Sequence, residues 1–316
     1  DVYKRQGLIG GAGMYESNLK VVKLGAGTLA FSGNSSFNGG FSLSTGTLVI
    51  GADSTASSPS SLASPTAVSA GPLGSSDGVS SGRLEFGDGV TIRTNGVNHA
   101  IANPMAFVDP AVASGFSVGG SGAGYDLTLN GTLHLGSALR TITVSDASVR
   151  ATFGGEIYGS GGLAKAGLGT MLLSGANSFT GGATISAGTV LVGNNAAFGT
   201  GLLTALNGVT FSSDSTTART FTNSYALSGT VTVGNTTNNG LMTFNGAGDL
   251  SVPVTLNALS GVVLGGVVSG AGSLTKSGAG VLTLSGANSF SGGATLNAGP
   301  VLSLIHISEP TRPERI

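Results

Sequence analysis

The sequence predicts an all-β protein, a β-solenoid forming a single elongated domain. One phrase recurs three times: GAGTLAFSGNSSFNGGFSLSTGTL from Gly25, GLGTMLLSGANSFTGGATISAGTV from Gly167 and GAGVLTLSGANSFSGGATLNAGPV from Gly278. Self-similarity of that length is the trace of one supersecondary unit stacked on itself. Within each copy, apolar residues alternate with variable ones, the period of a strand with one buried face. No segment keeps a helical period beyond two turns.

Composition agrees with that class. Of 316 residues, 40% are hydrophobic and only 9% charged, so the chain is too apolar and too weakly charged for a disordered one despite its 56 glycines. The glycines follow no period of three, which excludes collagen. A net charge of -1 with 13 Lys and Arg argues against nucleic acid and anionic membranes as partners. No apolar run approaches a membrane helix, and the absence of Cys excludes disulfides and thiolate metal sites.

Taken in order, the first segment is 1–6 (DVYKRQ), rich in charge and unlike the glycine-rich body of the chain. With its counterpart 303–316 (SLIHISEPTRPERI, from Ser303), it resembles translated sequencing-adapter sequence of the kind that contaminates environmental gene assemblies. Both are read as foreign, leaving 7–302 as the domain and placing the natural termini, with any signal peptide or anchor, outside this chain.

Each copy opens on a lysine, Lys23, Lys165 and Lys276, at spacings of 142 and 111 residues. A first strand carries Leu29 and Phe31, Met171 and Leu173, or Leu282 and Leu284. A loop with Phe37, Phe179 or Phe290 leads through Gly-Gly to a second strand with Leu43, Ile185 or Leu296. A further glycine (Gly46, Gly188, Gly299) turns into a third strand at Leu48, Val190 or Val301. Three short strands with Gly or Asn at the corners read as one coil. The phenylalanines are expected to close the interior, and Asn177 and Asn288 to bond backbone at a corner. The lysines are read as strand starts in water.

Diverged material of the same kind fills the spaces: FGGEIYGSGGL from Phe153 matches LGGVVSGAGSL from Leu264. The larger first spacing comes from extra residues between Gly51 and Pro72 (the Ser/Pro-rich DSTASSPSSLASPTAVSA) and after Asp126. Insertions in a solenoid belong in loops on one side, with the stacked strands untouched. At roughly 20–25 residues per coil the domain makes roughly 12–14 coils, a rod of about 60 Å at ~4.8 Å per coil.

The phrase GLxxxGxGTLxLSGANSFTGGxTIxAGTL is similar to the autotransporter-associated β-strand repeat of large bacterial surface proteins. The copies lie near 19–50, 162–192 and 272–301, with Asn34-Ser35 in the first where the others have Ala-Asn. The resemblance implies a right-handed parallel β-helix passenger, exported across the outer membrane and displayed at the surface or released. It also implies a C-terminal translocator barrel in the full-length protein, which this chain does not show.

Candidate chemistry is sparse. Glu85 and Asp88, then Asp109, Asp126 and Asp146, are the acids a polysaccharide-cleaving site would draw on. No acid recurs at coil spacing and no aromatic cluster accompanies them, so turn and surface roles are expected. His99, in a polar loop, and His134, alternating outward between Leu133 and Leu135, have no second ligand at metal spacing. No nucleophile elbow occurs. GLIGGAG near Gly7 and GGSGAG near Gly119 precede no helix that could hold a phosphate. GGSGAGYD nears a calcium nonapeptide but lacks the Asp and the tandem copies. Thr141-Ile142-Thr143 and Thr230-Val231-Thr232 are similar to the threonine ranks of ice-binding solenoids, but are not read as recurring coil after coil.

No catalytic, cofactor-binding or metal-binding residue is therefore assigned, and no cofactor is expected. The expected function is a non-catalytic passenger stalk, a monomeric rod serving as scaffold and adhesin toward a host-surface or matrix glycan or protein. The alternative is a polysaccharide-binding or polysaccharide-cleaving β-helix.

Overall fold

The computed structural model describes residues 2–5, 19–56, 58–78, 81–119 and 125–303. The GLIGGAG motif, all but the first residue of GGSGAG, and 304–316 lie outside the described residues. The named strands pair parallel throughout, with no helix among the described residues. They stack as a β-solenoid with three sides. The first side is a 12-stranded sheet and the second a 10-stranded sheet. A six-stranded and a five-stranded sheet occupy the third place in the coil, one toward each end of the rod.

Register fixes the coil length. Leu163 pairs with Ala183 and Ala183 with Leu203, so coils here take 20 residues. Thr47 pairs with Thr91 across the long insertion. Side chains alternate as a pleated strand requires: in Arg140–Val144, Ile142 and Val144 are inside while Thr141 and Thr143 face out. The interior is one continuous apolar column running along the rod. Aromatic rings extend it locally. Phe86 stacks on Phe116 at 3.9 Å, and Phe198, Phe221, Phe244 and Tyr225 follow edge to face at 5.1 to 5.3 Å. Phe37 and Phe179 are fully buried, as expected of residues closing the interior, and Phe290 is half-buried against the core.

The repeated phrase is not one coil. Val21–Lys23 lies beneath Phe41–Leu43, and Thr28–Phe31 beneath Thr47–Ile50. The strand at Leu48 is therefore the one at Leu29 a coil later, not its neighbour around the axis. The third side of that coil is the non-strand loop carrying Phe37. In the second copy that loop still stacks by backbone bonds: Ser178 N donates to Ile157 O at 2.9 Å, and Thr200 N to Phe179 O at 3.0 Å. Asn177 fills the gap in the ladder. It accepts from Ile157 N at 2.8 Å and donates to Ala197 O at 2.7 Å, tying three successive coils. Asn288 accepts from Val268 N in the same way.

The insertion after Gly51 is a strap laid on the body, not an interdomain linker. Ser54 N donates to Ala100 O at 3.0 Å and Ser60 N to Asn130 O at 2.8 Å, while Glu156 N donates to Ser60 O at 2.8 Å. It thus reaches three coils, and its Val68 and the following Leu73 are buried. At the other end of the chain, Val2–Arg5, inside the segment read as foreign, pairs parallel with Thr28–Phe31. An open sheet edge accepts any extended backbone, so this pairing does not bear on the segment's origin.

Candidate functional site

The acids singled out in the sequence do not converge. Glu85 is paired with Lys20 at 2.6 Å and Asp126 with Arg150 at 3.0 Å. Asp88, Asp109 and Asp146 each accept a backbone N–H, from Gly115, Ala111 and Ser148 respectively. The bonds to Ser148 lower the Asp146 pKa. Asp109 and Asp146 thus hold their own turns, and Asp88 ties its corner to the next coil. Among the described residues no three His, Cys, Asp or Glu gather as metal ligands would.

His134 does face outward, as alternation requires, and its ring stacks on Tyr158 at 4.7 Å. Burial, then Arg83 and Arg140, lowers its pKa. His99 is not in a loop. It opens the strand His99–Ile101, where Nδ1 meets Asp53 Oδ1 and Nε2 meets Asn95 Oδ1, both at 2.9 Å. Asp53 also accepts from Ala100 N at 2.9 Å, so this pair pins the start of the strap to a strand.

The three repeat lysines overturn the expectation that they stand in water. Lys23, Lys165 and Lys276 are buried, with 8%, 0% and 2% of their surface exposed. Each Nζ donates to three carbonyls: those of the next two residues, and one at the corner a coil later. For Lys165 these are Ala166 O at 3.1 Å, Gly167 O at 2.5 Å and Ala187 O at 3.0 Å. For Lys276 they are Ser277 O and Gly278 O at 2.7 Å and Ala298 O at 2.9 Å. Lys23 bonds Leu24 O, Gly25 O and Thr45 O. Gly188, at φ +73°, seals the second of these staples: a Cβ there would lie 2.8 Å from Nζ and 2.5 Å from Gly167 O. Burial drags the Lys165 pKa from 10.5 down to about 8, and that of Lys276 in the same direction.

The staples also step around the rod. Lys23 lies in the six-stranded sheet, Lys165 in the 12-stranded sheet and Lys276 in the 10-stranded sheet, so each copy starts on a different side. Arg140 is a further buried cation that sequence reading missed. It donates to Leu135 O at 2.7 Å, Asp109 O at 2.8 Å, Val112 O and Ser114 Oγ, and lies over the Phe107 ring at 4.3 Å. The signal was available in the alternation. Leu163 and Ile142 point inward, and Lys165 and Arg140 stand two residues from them on the same face.

Register also brings together residues far apart in sequence. On the first side Thr28, Thr47, Thr91, Ser117 and Thr143 form one rank, each the partner of the next. On the second side Thr230, Thr255, Thr275 and Thr295 do the same. The threonine ranks therefore do recur coil after coil, contrary to the reading from spacing alone. Thr28, Thr47, Thr91 and Ser117 of the first rank floor an open groove of about 730 Å³ bounded by Arg93, Ser145 and Asp146. A second hollow of about 340 Å³ adjoins it across Ser117 and contains Asp88 and Gly115.

The passenger-associated-transport repeat matches this chain at residues 21–50, 163–192 and 274–304. The chain is 31% identical over 163 residues to the adhesin BmaC autotransporter of Brucella suis biovar 1, covering 50% of this chain. It spans only 4% of the length of that relative. No solved structure matches it.

Proposed function

We propose that this chain, which carries three passenger-associated-transport repeats, is a length of an autotransporter passenger that serves as a rigid adhesive stalk. The passenger is exported across the outer membrane to the cell surface, a placing supported by the repeats and by the autotransporter adhesin it resembles. The single observation that carries the stalk reading is the recurrence of the staple. Three copies of the repeat build the same buried lysine and glycine corner into one unbroken stack. Such a stack holds its shape along its length and offers outward ranks of side chains rather than one enclosed cavity, the geometry suited to weak contacts repeated along a rod.

A non-enzymatic role fits the same observations. The candidate carboxylates are engaged in turns and ion pairs, which supports binding over polysaccharide cleavage. The adhesive role rests on likeness to an adhesin, since fold does not fix function. The translocator barrel expected beside such a passenger would be the partner in export.

Long reads through the genomic locus, past both ends of this sequence, test the proposal. A signal peptide upstream and alternating barrel strands downstream are expected. A catalytic domain, or a sorting helix with no barrel, would recast this segment as a spacer in another exported protein.

A further inference from the structure

We propose that the groove on the first side binds a neutral, extended oligosaccharide lying along the rod axis. This names the kind of partner for the adhesive reading and rests on it. The floor is Thr28, Thr47, Thr91 and Ser117, a rank that Thr143 continues into the adjoining hollow. All five are half-buried, and among the described residues their hydroxyls are committed to no protein partner. They are hydroxyls of both donor and acceptor capacity, repeated at the ~4.8 Å step of stacked strands, close to the length of one sugar ring. A chain of sugars presents hydroxyls of the same dual character in the same direction.

The walls make the choice among ligands. Arg93 lines the groove with no ion pair among the described residues. Its planar fork suits a pair of adjacent oxygens. Asp146 stands on the same groove, and its Oδ1 already accepts from Ser148 N and Oγ. Asp88 lies in the adjoining hollow. With a guanidinium and a carboxylate on the same groove, a polyanion meets a like charge, whereas a diol offers its oxygens to the guanidinium and its hydrogens to the carboxylate. A peptide strand is disfavoured, because the groove crosses a sheet face whose backbone groups are already used in the ladder. Gly115 deepens the adjoining hollow: a Cβ there would come within 2.3 Å of Thr141 O.

The test is calorimetric titration of the full chain with neutral tetra- to hexasaccharides of glucose, mannose and galactose, beside uronate and sulfated oligomers. Saturable binding of at least one neutral series is expected in the millimolar range or tighter. Arg93→Met should weaken it at least tenfold, and Thr91→Val combined with Ser117→Val severalfold. Thr189→Val and Thr210→Val, on the second side, should leave it unchanged. The proposal is overturned if the folded chain binds no neutral oligomer, binds only the anionic ones, or loses binding equally with the second-side variants. Cell adhesion by a displayed rod that survives the groove variants would also overturn it while leaving the adhesive stalk standing. Loss of adhesion with intact titration would instead fault the stalk reading alone.

Discussion

Replacing Lys165 with methionine keeps the apolar stem, one atom short of the lysine, and removes the ammonium. Three carbonyls, Ala166 O, Gly167 O and Ala187 O, lose that donor inside the wall of the rod. Hydrogen bonds to a charged group contribute about 1.5–3 kcal/mol each, so the gross loss is roughly 6 kcal/mol. Against it stands the cost of burying the charge. A pKa held at about 8 instead of 10.5 corresponds to roughly 3 kcal/mol at ~1.36 kcal/mol per unit. Lys165→Met should therefore destabilise its surroundings by about 3 kcal/mol at pH 7, the difference of those two estimates.

The pH dependence has a definite sign. The folded-state pKa lies below the unfolded one, so between about 8 and 10.5 the unfolded chain holds the extra proton. Stability from this group is thus fully present above the unfolded pKa and lost as pH falls through the folded one. The gap between wild type and variant should widen by up to about 1.4 kcal/mol per pH unit across that window. Because solenoids open locally, the assay is amide hydrogen exchange over residues 183–192, where Ser186 N bonds Lys165 O at 2.9 Å. A change under about 0.5 kcal/mol at pH 7 would refute the staple, and a gap that stays flat from neutral to alkaline pH would refute the lowered pKa of its ammonium.

Asn177→Ala removes the bonds to Ile157 N and Ala197 O and should cost about 2–3 kcal/mol, read as faster exchange in the coils above and below. Unchanged exchange would mean that the backbone alone holds that side. Leu173→Asp places an unpaired carboxylate at a fully buried position and should lower the thermal midpoint or abolish cooperative unfolding; an unaltered midpoint would contradict its inward orientation. Deleting 54–69 should leave the β signal in circular dichroism intact while exposing the amides of Ala102 and Glu156 to exchange, since these donate to Ser54 Oγ and Ser60 O of the strap. Collapse of the β signal would make the strap a structural part of the stack.

The all-β stack was legible because period two and glycine corners are written in every copy. Phe37, Phe179 and Asn177 could be placed from their position in the loop of each unit. The buried lysines were not, because a charge next to a glycine turn is ordinarily solvated. Here the turn offers carbonyls instead, and the alternation that put Leu163 inside put Lys165 there as well. The threonine ranks were hidden for another reason. Thr47 and Thr91 are neighbours only because the strap between them leaves and rejoins the rod in register. The strap's docking was equally invisible, since much of it runs backbone to backbone and leaves no side-chain pattern.

Everything proposed for this rod depends on its being cargo displayed outside the outer membrane. The decisive experiment fuses residues 19–303 between a signal peptide and a translocator barrel in a Gram-negative host, then probes intact cells with an external protease and an antibody. A surface-exposed, largely protease-resistant rod is expected. Passenger retained in the periplasm, while a known passenger on the same barrel reaches the surface, would contradict that placement.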